Sequence, residues 1–207
     1  SKKIIAATHT ADFSVRFGRK VRNLIDAESF KSVFSNVTLR ADSKAAGRWD
    51  VSGGGEYFAV GVGGAMTGRG ADLLIIDDPH SETAGINPSL DYFDSVYEWY
   101  ASGPRQRLQP GGAIIIVMTR WHELDLTGHI LQSSEERKGS DQWEVIQLPA
   151  LYEDGEPLWP DFWSKAELDA LKAELPISKW SAQYQQQPTS EEGALIKREY
   201  WKEWRGS

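Results

Sequence analysis

Two short apolar runs constrain this chain more than any other feature. Residues 73–76 read Leu-Leu-Ile-Ile and lead into Asp77 and Asp78. Residues 114–118 read Ile-Ile-Ile-Val-Met and lead into Thr119, Arg120, Trp121 and His122. Each run has a strand's length and no polar residue to face water, so both are expected to be buried strands. Helical patterns separate them from other short apolar segments. That alternation is the signature of an α/β architecture with a largely parallel sheet.

Residues 4–8 read as a further strand, followed by a helix in which Phe13, Phe17, Val21 and Leu24 recur at helical spacing. The opposite face carries Arg16, Arg19, Lys20 and Asn23, a solvated face in preference to a nucleic-acid surface. Residues 48–52 and 56–62 flank Gly53-Gly54-Gly55 and predict a β-hairpin. A loop over 63–70 precedes the strand at 73–77. Residues 88–108 predict one long helix with Leu90, Phe93, Tyr97 and Tyr100 on one face, broken by Pro110-Gly111-Gly112. Residues 124–132 predict a short helix and 143–148 another strand. From Pro149 onward prolines and carboxylates accumulate, and two helices follow, at 164–174 and 177–186. Ser164 and Glu167 form the capping box of the first. Residues 189–193 read as a linker. The expected organisation is a core over 1–149, a small helical lid over 150–188, and a linker from 189 to 207.

Composition excludes more than it assigns. With 40% hydrophobic and 26% charged residues the chain is an ordinary globular one. It has no cysteine, hence no disulfide framework and no thiolate metal site. No apolar run approaches the ~20 residues that cross a bilayer. A net charge of -7 argues against the whole surface gripping nucleic acid, so any DNA contact must be local. The opening Ser1-Lys2-Lys3, running straight into Ile4-Ile5-Ala6-Ala7, reads as a chain entered partway through a domain.

Chemistry concentrates at the ends of the two apolar runs. In α/β sheets the C-terminal strand ends are where ligands bind. Neighbouring strand residues face opposite ways, so Asp77 and Asp78 can do different work: one holding a Mg²⁺ shell, the other orienting or deprotonating water. Asp-Asp-Pro is also sound turn chemistry, so the pair alone leaves both readings open. Arg69, between Gly68 and Gly70, sits where a mobile loop would carry an arginine into a phosphate site. Thr119, at the tip of the second run, is placed to sense a γ-phosphate. The four histidines His9, His80, His122 and His129 make no ligand pair. His80 is read as a loop histidine near water, within reach of a metal's outer shell.

The stretch Gly-Val-Gly-Gly-Ala-Met-Thr-Gly-Arg-Gly-Ala-Asp over 61–72 continues as LLIIDDPH and later as RLQPGGAIIIVMTRWHELDLTGHIL. Together with WSAQYQQQP at 180–188 and EGALIK at 192–197, it resembles the large terminase subunit of tailed phages and prophages. The resemblance covers nearly the whole chain and is densest from 61 to 128. It implies a P-loop NTPase-like fold of the RecA type, truncated at the N-terminus, powering movement of viral DNA into a procapsid. By it, Asp77 is the Walker B carboxylate that binds Mg²⁺ with ATP, and Asp78 the water-orienting base, one methylene shorter than the glutamate common there. Arg69 is implied to be an arginine finger acting in trans, with a cis role left open, and Thr119 the coupling residue. Arg107 falls in the matching stretch without a role. The implied partners are double-stranded DNA, the portal protein, the small terminase subunit and further copies in a ring, with no membrane, in the host bacterial cytoplasm.

No G-x-x-x-x-G-K-[ST] run is present, so the phosphate cradle of a P-loop is missing from this sequence. By the resemblance it would precede Ile4, and nuclease carboxylates would follow Ser207. The chain alone is therefore expected to be inactive. Two alternatives stand beside the motor fragment. One is a non-catalytic prophage remnant or docking module. The other is a metal-dependent phosphohydrolase on Asp77, Asp78 and His80, which would need further ligands from other strand tips; the candidates Asp12, Asp50 and Asp125 have no partner motif.

Overall fold

A computed structural model describes residues 2–82 and 89–189. The expected helix start at Pro88 and the linker beyond Thr189 lie outside the described residues. The chain divides into two compact units, Ser1–Met118 and Thr119–Ser207; the composition change at Pro149 lies inside the second.

The first unit is built on a six-stranded mixed sheet in the order β2-β3-β4-β1-β5-β6. Its interior is parallel. Strand β1 (Lys3–Thr8) lies between β4 (Glu56–Gly61) and β5 (Ala71–Asp77), parallel to both. Beyond β5, β6 (Leu108–Val117) runs parallel again. On the other side β3 (Arg48–Val51) and β2 (Leu39–Ala45) are antiparallel, so the expected hairpin at 48–62 forms as β3 and β4. Ile5, Ala7, Leu74 and Ile76 are buried at the centre, where side chains on both faces of a strand are covered. Among the described residues, helices α1 (Ala11–Asp26), α2 (Glu28–Val33), α3 (Leu90–Ser102) and α4 (Pro104–Arg107) flank the sheet.

Helix α1 shows the expected period with its phase turned by one residue, about 100° round the helix. Phe13, Phe17, Val21 and Leu24 are 44–57% exposed, and the buried residues are Ser14, Gly18 and Ile25. The reason lies beneath the helix, where Trp49 and Tyr57 stack with ring centroids 5.0 Å apart. A Cβ on Gly18 would meet the Tyr57 ring at 2.3 Å, so only glycine lets the helix come this close. Polar groups at the contact are all paired: Tyr57 Oη donates to the Ser14 carbonyl (2.7 Å), Trp49 Nε1 to the Gly18 carbonyl (3.0 Å) and Ser14 Oγ to the Val60 carbonyl (3.0 Å). Satisfied in this way, the buried hydroxyls avoid the desolvation penalty. Burial also pushes the Tyr57 phenol up to about 12.

Three other expectations are corrected. The helix expected over 88–108 ends as α3 at Ser102, α4 follows Gly103, and β6 already starts at Leu108. Pro110-Gly111-Gly112 therefore lies within β6, where the register jumps between the pairs Ala71–Leu108 and Leu73–Ala113. Gly111 takes φ +77° there, which glycine permits at no steric cost. The apolar run 113–118 is a strand over most of its length but is not buried on both faces. β6 is the last strand of the sheet, with Ile115 48% and Val117 56% exposed. Residues 143–148 join no strand, and Val145, Ile146 and Leu148 are exposed.

The second unit contains α5 (Leu126–Glu136), α6 (Lys165–Glu174) and α7 (Ile177–Lys179), which runs into a π-helical turn, Trp180–Tyr184. Its small core gathers Leu151, Leu168 and Trp180. The Ser164–Glu167 capping box forms as expected at α6. Gln185 clamps Leu151 like a strand neighbour, accepting from its N–H (3.1 Å) and donating to its carbonyl (2.9 Å). Among the described residues no helix is long and apolar enough to cross a membrane.

Candidate functional site

Parallel register brings the C-terminal ends of three strands level. Asp77 pairs with Thr8 of β1 on one side and with Val117 of β6 on the other. The next residue, Asp78, turns sharply out of the strand at φ +41°. Its N–H donates to the Val117 carbonyl (2.9 Å), and its own carbonyl accepts from the His9 N–H (3.2 Å). The main chain of Asp78 thus stitches β1, β5 and β6 together at their tips. Its side chain is exposed, whereas that of Asp77 is half-buried. Burial, and then the neighbouring Asp78 charge, hold the Asp77 carboxyl above the usual carboxylate range. A cation beside Asp77 would supply the compensation that burial denies it.

Thr8 is buried but already employed. Its Oγ1 accepts from the Ser14 N–H (3.1 Å) and donates to the Thr10 carbonyl, fixing the start of α1. His9 directly follows Thr8, is tied to Asp78 through the main chain, and its ring lies 5.3 Å from Phe13. Spacing along the sequence gives His9 no ligand partner. Its position directly after the first strand was the signal that could have found it.

Arg69 is held rather than free. Its guanidinium pairs with Glu56 and lies 4.0 Å from the Phe58 ring centroid. Glu56 is level with Lys3, and Asp77 with Thr8. Those levels are five strand residues apart, roughly 16 Å at the usual strand rise. In this arrangement Arg69 is tethered near the opposite end of the sheet from Asp77 of its own chain.

In the second unit, Thr119 leads into a turn organised by Asp125. This fully buried carboxylate accepts from Arg120 Nε (2.9 Å), from the N–H groups of Trp121 (2.9 Å) and His122 (3.3 Å), and from Gly128 N–H (2.9 Å). It is at once the N-cap of α5 and the counter-ion of Arg120. A Cβ on Gly128 would come within 1.7 Å of the Glu123 carbonyl, so glycine is required for the turn to fold onto the helix. Gln186 Oε1 accepts from the Arg120 N–H (3.3 Å), joining the two distant motifs that begin at Thr119 and Trp180. Asp125 is therefore committed to Arg120 and the turn, and is not available to a metal.

His80 is corrected too. It is buried, not a loop histidine near water, with its ring 5.2 Å from Phe93 and 5.7 Å from Tyr92. Among the described residues no three His, Asp or Glu side chains gather to hold a metal. Two carboxylates at a strand tip do suit Mg²⁺, which keeps much of its water and takes further ligands from phosphate. They do not suit a metal caged by protein alone. No family model matches this chain, and no curated protein matches it.

Proposed function

We propose that this chain is the catalytic-carboxylate part of a DNA-packaging ATPase of the large terminase type, with a P-loop NTPase-like sheet. One observation carries the reading: Asp77 and Asp78 emerge together at the C-terminal ends of parallel strands, one half-buried and one exposed, beside the tips of β1 and β6. Mg²⁺ bound with ATP would supply charge neutralisation of the phosphates there. Asp77 would hold the ion's water shell. Asp78, projecting to solvent, would orient and deprotonate the attacking water. Thr119, two residues past the end of β6, would respond to the γ-phosphate and move with DNA. Arg69, tethered away from its own Asp77, suits a neighbouring copy's ATP better than its own.

Among the described residues β6 has a strand on one side only, which supports the same reading. A P-loop strand added on the other side would give the apolar run the second neighbour that its sequence calls for. The chain alone is read as inactive because the cradle for the β- and γ-phosphates is missing.

The test uses a chain extended upstream to include the P-loop segment. Asp78→Asn should lower ATP turnover by about 10²–10⁴-fold with nucleotide binding nearly intact, the usual worth of a general base. Wild-type turnover in that variant would overturn the assignment. Mixing Arg69→Ala subunits with Asp78→Asn subunits should restore part of the activity if Arg69 acts in trans.

A further inference from the structure

Two exposed faces of this chain are both apolar and are opposite in charge. The first lies on α1. Phe13, Phe17, Val21 and Leu24 form a solvent-facing apolar stripe, which the helical period of ~100° per residue places on one side of the helix. Arg16 and Lys20 border it, with Lys20 Nζ 6.0 Å from the Phe17 ring centroid. Between residues 13 and 24 there are cations at 16, 19, 20 and 22 and no carboxylate.

The second face lies in the second unit, ahead of α6. Trp159, Phe162 and Trp163 are 61%, 63% and 42% exposed. Their rings are contiguous: Trp159 and Phe162 stack at 5.0 Å, and Phe162 meets Trp163 edge-on at 5.7 Å. Exposed aromatics held against one another in this way mark interaction sites. Around them, residues 150–176 carry seven carboxylates and two lysines, so this stretch is strongly acidic. Both lysines are engaged within the unit. Lys165 Nζ donates to the Gly155 carbonyl (2.8 Å), and Lys172 Nζ lies 5.7 Å from the Trp180 ring centroid. The carboxylates Glu153, Asp154, Glu156 and Asp161 remain exposed. The platform is firmly carried, because Leu168 of α6 is buried with Leu151 and Trp180. An acidic aromatic face of this kind repels nucleic acid and selects a cationic, apolar helix.

We infer that α1 of one copy docks on the Trp159–Phe162–Trp163 face of a second copy. The stripe of α1 covers the three rings, while Arg16 and Lys20 meet the surrounding carboxylates. Guanidinium and ammonium groups both stack on aromatic faces and pair with carboxylates, so the two attractions act together. The two faces differ, so the contact is head-to-tail and each copy uses both. This inference does not rest on the nucleotide reading.

The experiment is sedimentation velocity on the 207-residue chain across a range of protein and salt concentrations. Self-association should weaken as salt screens the charges. Trp159→Ser with Phe162→Ser should weaken it by roughly tenfold or more, as loss of central aromatic anchors does. Two charge-reversed chains then give the decisive comparison. One carries Arg16→Glu and Lys20→Glu; the other carries Glu153→Lys, Glu156→Lys and Asp161→Lys. Each alone should be monomeric, and an equimolar mixture should associate, because each reversed face then meets its opposite. A mixture that stays monomeric overturns the proposal. So does wild-type protein that is monomeric throughout, or association that survives the reversals and disappears only on Ile115→Lys, which would assign it to the sheet edge.

Discussion

The two outermost strands of the sheet meet the same problem with different residues. β2 carries Arg40, Asp42 and Lys44 outward, and its pairing with β3 shifts register between Leu39 and Lys44. Arg40 and Asp42 close on each other through two hydrogen bonds, of 3.0 and 2.7 Å. Charge and irregularity are what discourage another strand from adding to an edge. β6 has neither over residues 113–117, Ala-Ile-Ile-Ile-Val, a run with high strand propensity and no charge or proline. One strand is finished as an edge. The other has an interior strand's sequence in an edge position. Edge or interior is thus a property of what a strand's sequence tolerates beside it, and β6 tolerates a neighbour on both sides.

The largest effect expected from this contrast lies just inside β6. Replacing fully buried Ile76 of β5 by Ala should cost about 2–5 kcal/mol in denaturant unfolding, whereas Ile115→Ala on half-exposed β6 should cost about 1 kcal/mol. Equal losses would show that β6 is covered in solution. Next, the apparent melting temperature should depend on protein concentration, moving by a few degrees over a ~100-fold range as copies associate. Giving β6 the charges of an edge, with Ile115→Lys and Val117→Glu, should leave that dependence in place, and its loss would assign the association to the edge rather than to the face around Trp159. A wild-type chain melting cooperatively at one temperature at every concentration would show that neither the edge nor that face associates.

A smaller effect concerns the strand tip between these regions. Because the folded Asp77 carboxyl is raised above its unfolded value, its contribution to stability is full below the ordinary aspartate range. That contribution is lost as pH rises through the raised value. Asp77→Asn should therefore be more stable than wild type at neutral pH, with the advantage shrinking as the solution is acidified. Stability curves that coincide at every pH would mean that Asp77 ionises without cost. Smallest of all, Arg40→Ala and Asp42→Ala on β2 should leave the unfolding midpoint unchanged, since exposed pairs contribute little. A clear loss there would mean the polar edge is held together by more than solvation.

What the sequence disclosed and what it hid follow one rule. The strands at 4–8 and 73–77, the β3–β4 hairpin and the Ser164–Glu167 capping box were legible because each depends on residues close in sequence. The phase of α1 was not, because the buried side is chosen by Tyr57, a residue on another element, and small residues lie where large ones were expected. β2 was missed because Leu-Arg-Ala-Asp-Ser-Lys-Ala reads as polar loop until it is seen pairing with β3. β6 and residues 143–148 were read as strands from their apolarity, yet only β6 finds a partner in the sheet. Of the site, the Asp77–Asp78 pair was plain. The neighbourhood of His9, the tether on Arg69 and the grip of Asp125 depend on pairings between elements, which spacing along the chain does not encode.

The left-handed backbone at Asp78 decides which replacements there are informative. Among residues with a side chain, aspartate and asparagine enter this region most readily, and others carry a cost of about 1–2 kcal/mol. Asparagine at 78 therefore changes charge while leaving the main chain in place. Glutamate changes two things at once, because a longer arm comes with a backbone that resists the turn. Glycine would relax the turn while removing the carboxylate, and should yield a chain that folds better and does less. The geometry that binds three strand tips together thus also sorts the mutational neighbours of Asp78 into clean probes and confounded ones.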